Sequence, residues 1–87
     1  MKMIILIVKD SEADALTRAL TSEEYRVTRI ASTGGFLRSG VATLLLGVDD
    51  LQVDSAIKLI RETIAMGAPA EKRVSLFVVP VERFEQV

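Results

Sequence analysis

Met3-Ile4-Ile5-Leu6-Ile7-Val8 is an unbroken aliphatic run, closed off by Lys9-Asp10. It has the length of a strand, and a strand that is apolar at every position is one covered on both faces. The chain therefore has to supply cover on either side of this segment. The run is too short for a signal-peptide core with a cleavage site, and far too short to span a bilayer, so the expected compartment is the cytoplasm and no membrane partner is expected.

The segments that follow alternate between helical and extended periodicity. Ser11-Glu12-Ala13-Asp14 has the spacing of a capping-box variant, and Ala13, Leu16, Ala19 and Leu20 recur at helical intervals, which predicts a helix over 11–22. Residues 25–31 alternate Tyr25, Val27 and Arg29 against Arg26, Thr28 and Ile30, a strand with a polar element on each face. Residues 32–40 break the pattern. A second aliphatic strand is predicted over 41–48. Asp49-Asp50 then caps a helix whose Val53, Ala56, Ile57, Ile60 and Ile64 follow three-four spacing until Gly67. The last strand is predicted over 73–80, with Pro80 marking an edge or a strand end. The order β-α-β-β-α-β is that of the α+β ferredoxin-like fold: a four-stranded antiparallel sheet with both helices on one face. The other face then needs cover, most simply from further subunits.

Composition narrows the function classes. The 87 residues make one domain, 1–87, with 49% hydrophobic and 26% charged residues and a net charge of −1, which offers no general attraction for a nucleic acid polymer. The chain has no cysteine and no histidine, which removes disulfides, thiolate nucleophiles, Cys/His zinc sites and imidazole acid–base chemistry. An enzyme is not expected, nor a metal or a cofactor. A core this small is marginal alone, so an oligomer is expected.

The segment Ser32-Thr33-Gly34-Gly35-Phe36-Leu37-Arg38-Ser39-Gly40 is longer than a hairpin requires. Its glycines let backbone N–H groups converge on an anion, Ser, Thr and Arg add phosphate donors, and Phe36-Leu37 offers an apolar bed for a base. The alternative is that the glycines serve only the turn and Phe36-Leu37 packs on a neighbouring subunit. If Ser32 and Val41 close the hairpin, Arg26 lies opposite Gly47 and Thr28 opposite Leu45, so that a guanidinium, a hydroxyl and a position without a side chain share one strip. Gly47 then permits the close approach of a planar ligand or another backbone, or else marks a β-bulge.

At these residues the chain resembles the PII-like cyclic di-AMP receptors, small trimeric relatives of the PII nitrogen-signalling proteins. The resemblance is densest over 26–40, in Gly47-Val48-Asp49-Asp50, and in Phe77-Val78-Val79-Pro80-Val81-Glu82-Arg83-Phe84-Glu85-Gln86. It implies a homotrimer that binds a small nucleotide, cyclic di-AMP, in three clefts between neighbouring subunits, and a downstream protein partner that it does not identify. It further implies that Arg26 and Thr28 face the ligand, that Gly35, Phe36 and Leu37 hold phosphate and base, that Gly47 admits the adenine, and that Phe77 and Gln86 complete the wall. On the residues alone, Phe77 reads as a core phenylalanine and Gln86 as a solvated terminal residue. The chain departs from the family pattern where Val41 and Glu24 replace polar Asn contacts, and in a short connection at 67–72 in place of a long loop. Those departures describe a second possibility, a trimeric PII-like scaffold that has lost tight second-messenger binding.

Other chemistry is poorly supported. Asp49-Asp50 sits at a helix start, where acidic residues favour the dipole, and neither it nor Glu23-Glu24 has a neighbouring base or metal-ligand spacing. The strands lack the stacking aromatics of an RNA-binding sheet. Arg29, Arg38, Lys72, Arg73 and Arg83 are scattered, as solvated or paired side chains are.

Overall fold

A computed structural model of the chain describes residues 1–30, 40–65 and 74–87. In chain order the elements are β1 (Lys2–Lys9), α1 (Asp10–Ser22), β2 (Val27–Ile30), β3 (Val41–Val48), a 3₁₀ turn (Asp50–Gln52), α2 (Val53–Ala65) and β4 (Ser75–Pro80). The four strands form one antiparallel sheet in the order β2-β3-β1-β4, the ferredoxin-like arrangement. The predicted helix stop at Gly67 and the start of the last strand at Arg73 lie outside the described residues.

Period-two alternation sorts the strands into two faces. Ile4, Leu6 and Val8 of β1 and Ala42, Leu44, Leu46 and Val48 of β3 are buried with Ala13, Leu16 and Leu20 of α1 and Ala56 and Ile60 of α2. This is the core, and both helices serve it. Met3, Ile5 and Ile7 alternate with the buried residues and are only half-buried. Within one chain, then, β1 is sealed on its helix side and only partly covered on the other.

The first helix differs from its sequence reading. It starts at Asp10 directly from β1, with Lys9 as N-cap and no side-chain cap bond, so Ser11 lies inside the first turn and caps nothing. The Asp10 N–H instead donates to the Gly40 carbonyl at 2.7 Å. Arg29, on the helix side of the edge strand β2, pairs with Asp14 at 2.7 Å and Asp10 at 3.4 Å and ties strand to helix.

The predicted strand over 25–31 is shorter at its start for a related reason. Tyr25 N–H donates to Leu20 O at 3.0 Å and Glu24 N–H to Thr21 O at 3.0 Å, the paired bonds of a Schellman ending to α1. Glu24 occupies its left-handed position with φ of 68°. That conformation suits Gly or Asn and strains most other residues, so Glu24 stores backbone strain where the resemblance implies an Asn.

β1 is anchored at its start. The Met1 amino group lies 3.0 Å from Asp50 Oδ1, and the Met1 carbonyl accepts from Val81 N–H at 3.1 Å. Hydrogen bonding from that amino group, and then its charge, hold the Asp50 carboxyl below the usual carboxylate range. Asp49 N–H meanwhile donates to Gln52 Oε1 at 3.1 Å and the Asp49 carbonyl accepts from Gln52 N–H at 2.8 Å, so Asp49 closes the turn through its backbone while the Asp50 carboxylate holds residue 1.

Two outcomes follow for solution measurements. Glu24→Asn and Glu24→Gly should each move the urea midpoint upward, by about 0.5–1 kcal/mol of stability, because they relieve a left-handed backbone strain; unchanged or lower midpoints would contradict the capping geometry. Because the Asp50 pKa is lowered on folding, its contribution is fully present above the ordinary carboxylate range and is lost as pH falls through the lowered value. Asp50→Asn should therefore be less stable than the parent at neutral pH, with the difference shrinking in acid, as read by urea titrations at several pH values.

Candidate functional site

The face of the sheet away from the helices is laid out by register. Thr28, Leu45, Ile5 and Phe77 form one row across β2, β3, β1 and β4, since Thr28 pairs with Leu45, Leu45 with Ile5, and Ile5 with Phe77. One rung along, Gly47 pairs with Met3, and Met3 with Val79. The Thr28–Leu45 pairing is the one expected from the sequence, and extending it by two residues places Arg26 across from Gly47, just before β2 begins. Gly47 lies in an uninterrupted ladder, so it is not a β-bulge.

At this corner lies a cavity of about 490 Å³. Its polar groups are the Arg26 guanidinium, the Thr28 hydroxyl and the Gln86 amide; Met1, Met3, Leu45, Val81 and Phe84 supply apolar wall, and Gly47 completes the lining. Thr28 of β2 and Arg26, just before the strand begins, lie on the same side because they are two residues apart. The tail after β4 brings Val81, Phe84 and Gln86 round to meet them, starting from the Val81–Met1 backbone bond.

The charges at the site favour an anion. Arg29 is committed to Asp10 and Asp14, and Arg83 to Glu85, with Arg83 Nε 3.0 Å from the carboxylate. Among the described residues Arg26 has no carboxylate partner, and no acidic side chain lines the cavity. A guanidinium without a counter-ion beside an apolar wall suits a ligand that joins a phosphate to a flat base. A second, more open groove of about 300 Å³, lined by Glu23, Tyr25, Ser55, Lys58, Leu59 and Glu62, places two carboxylates about one lysine and is poorly suited to an anion. Among the described residues no group of three or more His, Cys, Asp or Glu is placed to hold a metal ion, and no helix is long and apolar enough to cross a membrane.

Of the residues implicated from sequence, Arg26, Thr28, Gly47 and Gln86 line this one cavity. Gln86, exposed near the end of the chain, reaches this lining from the tail. Phe77 shares the sheet face but lies outside the cavity lining, and at 50% exposure it is not a core phenylalanine. Gly35, Phe36 and Leu37 lie outside the described residues. Val41 stands at the other end of β3, paired with Lys9, six residues of extended strand or about 20 Å from Gly47. Sequence reasoning missed Met1, Met3, Leu45, Val81 and Phe84 as site residues. Leu45 was accessible through the two-residue period that groups it with Gly47, and Phe84 through being an aromatic in a short polar tail; Met3 joins them only through the β1–β3 register, and Met1 carried no sequence signal.

Comparison with known proteins bears on this geometry. The sequence model of the cyclic-di-AMP receptor family matches residues 1–69, which include Arg26, Thr28, Gly35, Phe36, Leu37 and Gly47 but stop short of Phe77 and Gln86. Among solved structures, the chain is similar to a functionally unknown protein from Pediococcus pentosaceus, with a TM-score of 0.77 and 26% identity, covering 99% of this chain and 96% of that one. A match over this much of the sequence, on a fold shared almost end to end with a solved structure, makes the chain a member of the cyclic-di-AMP receptor family.

Proposed function

We propose that the chain is a non-catalytic signal transduction protein, a single PII-like domain acting in the cytoplasm as a homotrimer that binds cyclic di-AMP or a related adenine nucleotide in clefts between neighbouring subunits. The observation that carries this reading is Arg26, without a carboxylate partner among the described residues, at the edge of an apolar cavity in a chain of the receptor family. The guanidinium takes a phosphate oxygen, Thr28 adds a hydroxyl donor, and the wall of Met1, Leu45 and Phe84 shields an adenine face from water.

Two features support a site shared between subunits. Cyclic di-AMP carries two phosphates and two bases, whereas one cavity offers one unpaired guanidinium. The positions that contact ligand in the family also divide between the ends of the sheet, with Gly47 at one end of β3 and position 41, here Val41 in place of Asn, at the other, so a neighbouring subunit brings the far end of its own sheet to complete the cavity. The open face carries Ile5, Ile7, Leu45, Phe77 and Ile30, with Phe77 and Ile30 at 50% and 45% exposure, and an apolar face of this kind is relieved by association. Ligand binding then reorganises the Ser32–Gly40 segment and so biases contact with a downstream protein.

Calorimetric titration separates this reading from the scaffold alternative. Cyclic di-AMP should give saturable heat at one site per subunit and exceed ATP and cyclic di-GMP; heat from none of the three would leave the scaffold. Arg26→Ala should weaken the interaction by about 1.5–3 kcal/mol, the scale of a hydrogen bond to a charged group, and an unchanged affinity would place the ligand elsewhere. Light scattering at micromolar concentration should give three times the mass of one chain, and a monomer would overturn the shared site.

A further inference from the structure

The position taken by Met1 changes what Gly47 is for. Gly47 is flat against the open face, paired with Met3 in an unbroken ladder, and the natural reading of its missing side chain is space for the ligand. That space is already in use. A methyl group added at Gly47 would stand 2.9 Å from Met1 Cε, closer than two carbons approach without one of them moving. The thioether methyl therefore packs where a side chain at position 47 would be.

Met1 is brought there by its backbone. Its amino group rests on Asp50 Oδ1 at 3.0 Å, at the turn leading into α2, and its carbonyl accepts from Val81 N–H at 3.1 Å, at the start of the tail. Fixed on both sides, the residue directs its side chain across Gly47 to line the cavity with Arg26 and Phe84, while remaining 51% exposed. An unbranched thioether is polarisable and adapts its shape, which suits it to lie against the flat face of a purine.

We propose that Met1 forms a wall of the nucleotide site against the adenine, and that Gly47 is a positioning residue that acts through Met1 by leaving room for its methyl group. This rests on the receptor reading only for the identity of the ligand. A side chain at Gly47 pushes the flexible end of Met1 into the cavity and narrows the base site, while the fold survives because the displaced atom is a side-chain terminus.

The test is a double-mutant cycle on the full chain, with cyclic di-AMP as the probe and calorimetry as the readout. Residue 1 is changed by releasing the chain from an amino-terminal fusion that leaves Ala first, giving Met1→Ala, Gly47→Ala and both together, each checked for folding by its circular dichroism melt. Gly47→Ala should weaken binding about tenfold, equivalent to about 1.4 kcal/mol, when residue 1 is Met. It should have less than about a twofold effect when residue 1 is Ala, a coupling expected of groups in contact. Equal losses in both backgrounds would mean that Gly47 meets the nucleotide directly, and would overturn the proposal. Carbon-13 labelling of the methionine methyls gives a reading independent of the ligand. The chain has three methionines, Met1, Met3 and Met66, and Gly47→Ala should shift the Met1 resonance before any nucleotide is added; an unmoved Met1 resonance would also overturn it. Parent protein that binds no nucleotide would remove the receptor reading, whereas parent binding without coupling removes this inference alone.

Discussion

The backbone ladder between β1 and β3 runs in register from Lys2 opposite Val48 to Lys9 opposite Val41, and the placement of every site residue depends on it. Strand β1 does not choose that register by hydrophobicity, because Met3, Ile5 and Ile7 are as apolar as Ile4, Leu6 and Val8. Strand β3 does. Turning it over would bury Thr43 and Gly47 in place of Leu44, Leu46 and Val48, which leaves a hydroxyl needing a partner at about 1–3 kcal/mol and a void where a side chain should pack. The same preference that sends Leu44 and Leu46 into the core puts Gly47 on the open face, next to Met3 and under Met1. Core packing and site geometry are two sides of one strand.

The electrostatics follow from the edge strand. Arg26 and Arg29 are three residues apart and so point to opposite faces of β2. Arg29 meets the α1 carboxylates Asp10 and Asp14, and among the described residues Arg26 meets none. One arginine is spent on holding the edge strand to the helix and the other is left available for an anion. Neither role depends on the overall charge of −1.

Much of this was legible in the sequence. The element order, the bounds of β3 and the helix faces of α1 and α2 come from period-two and three-four spacing, and the pairing that brings Thr28 opposite Leu45 follows from taking Ser32 and Val41 as the close of the hairpin. The errors sit where short-range hydrogen bonding outweighs those periods. Ser11 looks like a cap, but a strand that runs directly into a helix lets Gly40 satisfy the Asp10 N–H; Tyr25 looks like a strand residue, but its N–H closes the end of α1. In the site, residues delivered by strands were readable, and residues delivered by the chain ends were not, because no periodicity links Met1 and Phe84 to Arg26. Gln86 was placed only through resemblance, and Phe77 proved to be a neighbour of the cavity on the sheet, not part of its lining.

On the proposed function, nucleotide recognition takes place at the Arg26–Gly47 corner, where strand and tail converge. A crystal structure of the protein with cyclic di-AMP tests this most directly. The expected result is a phosphate within hydrogen-bonding distance of the Arg26 guanidinium and an adenine against the Met1 side chain over Gly47. A nucleotide bound in the groove beside Lys58, or at any position out of reach of Arg26, would contradict it.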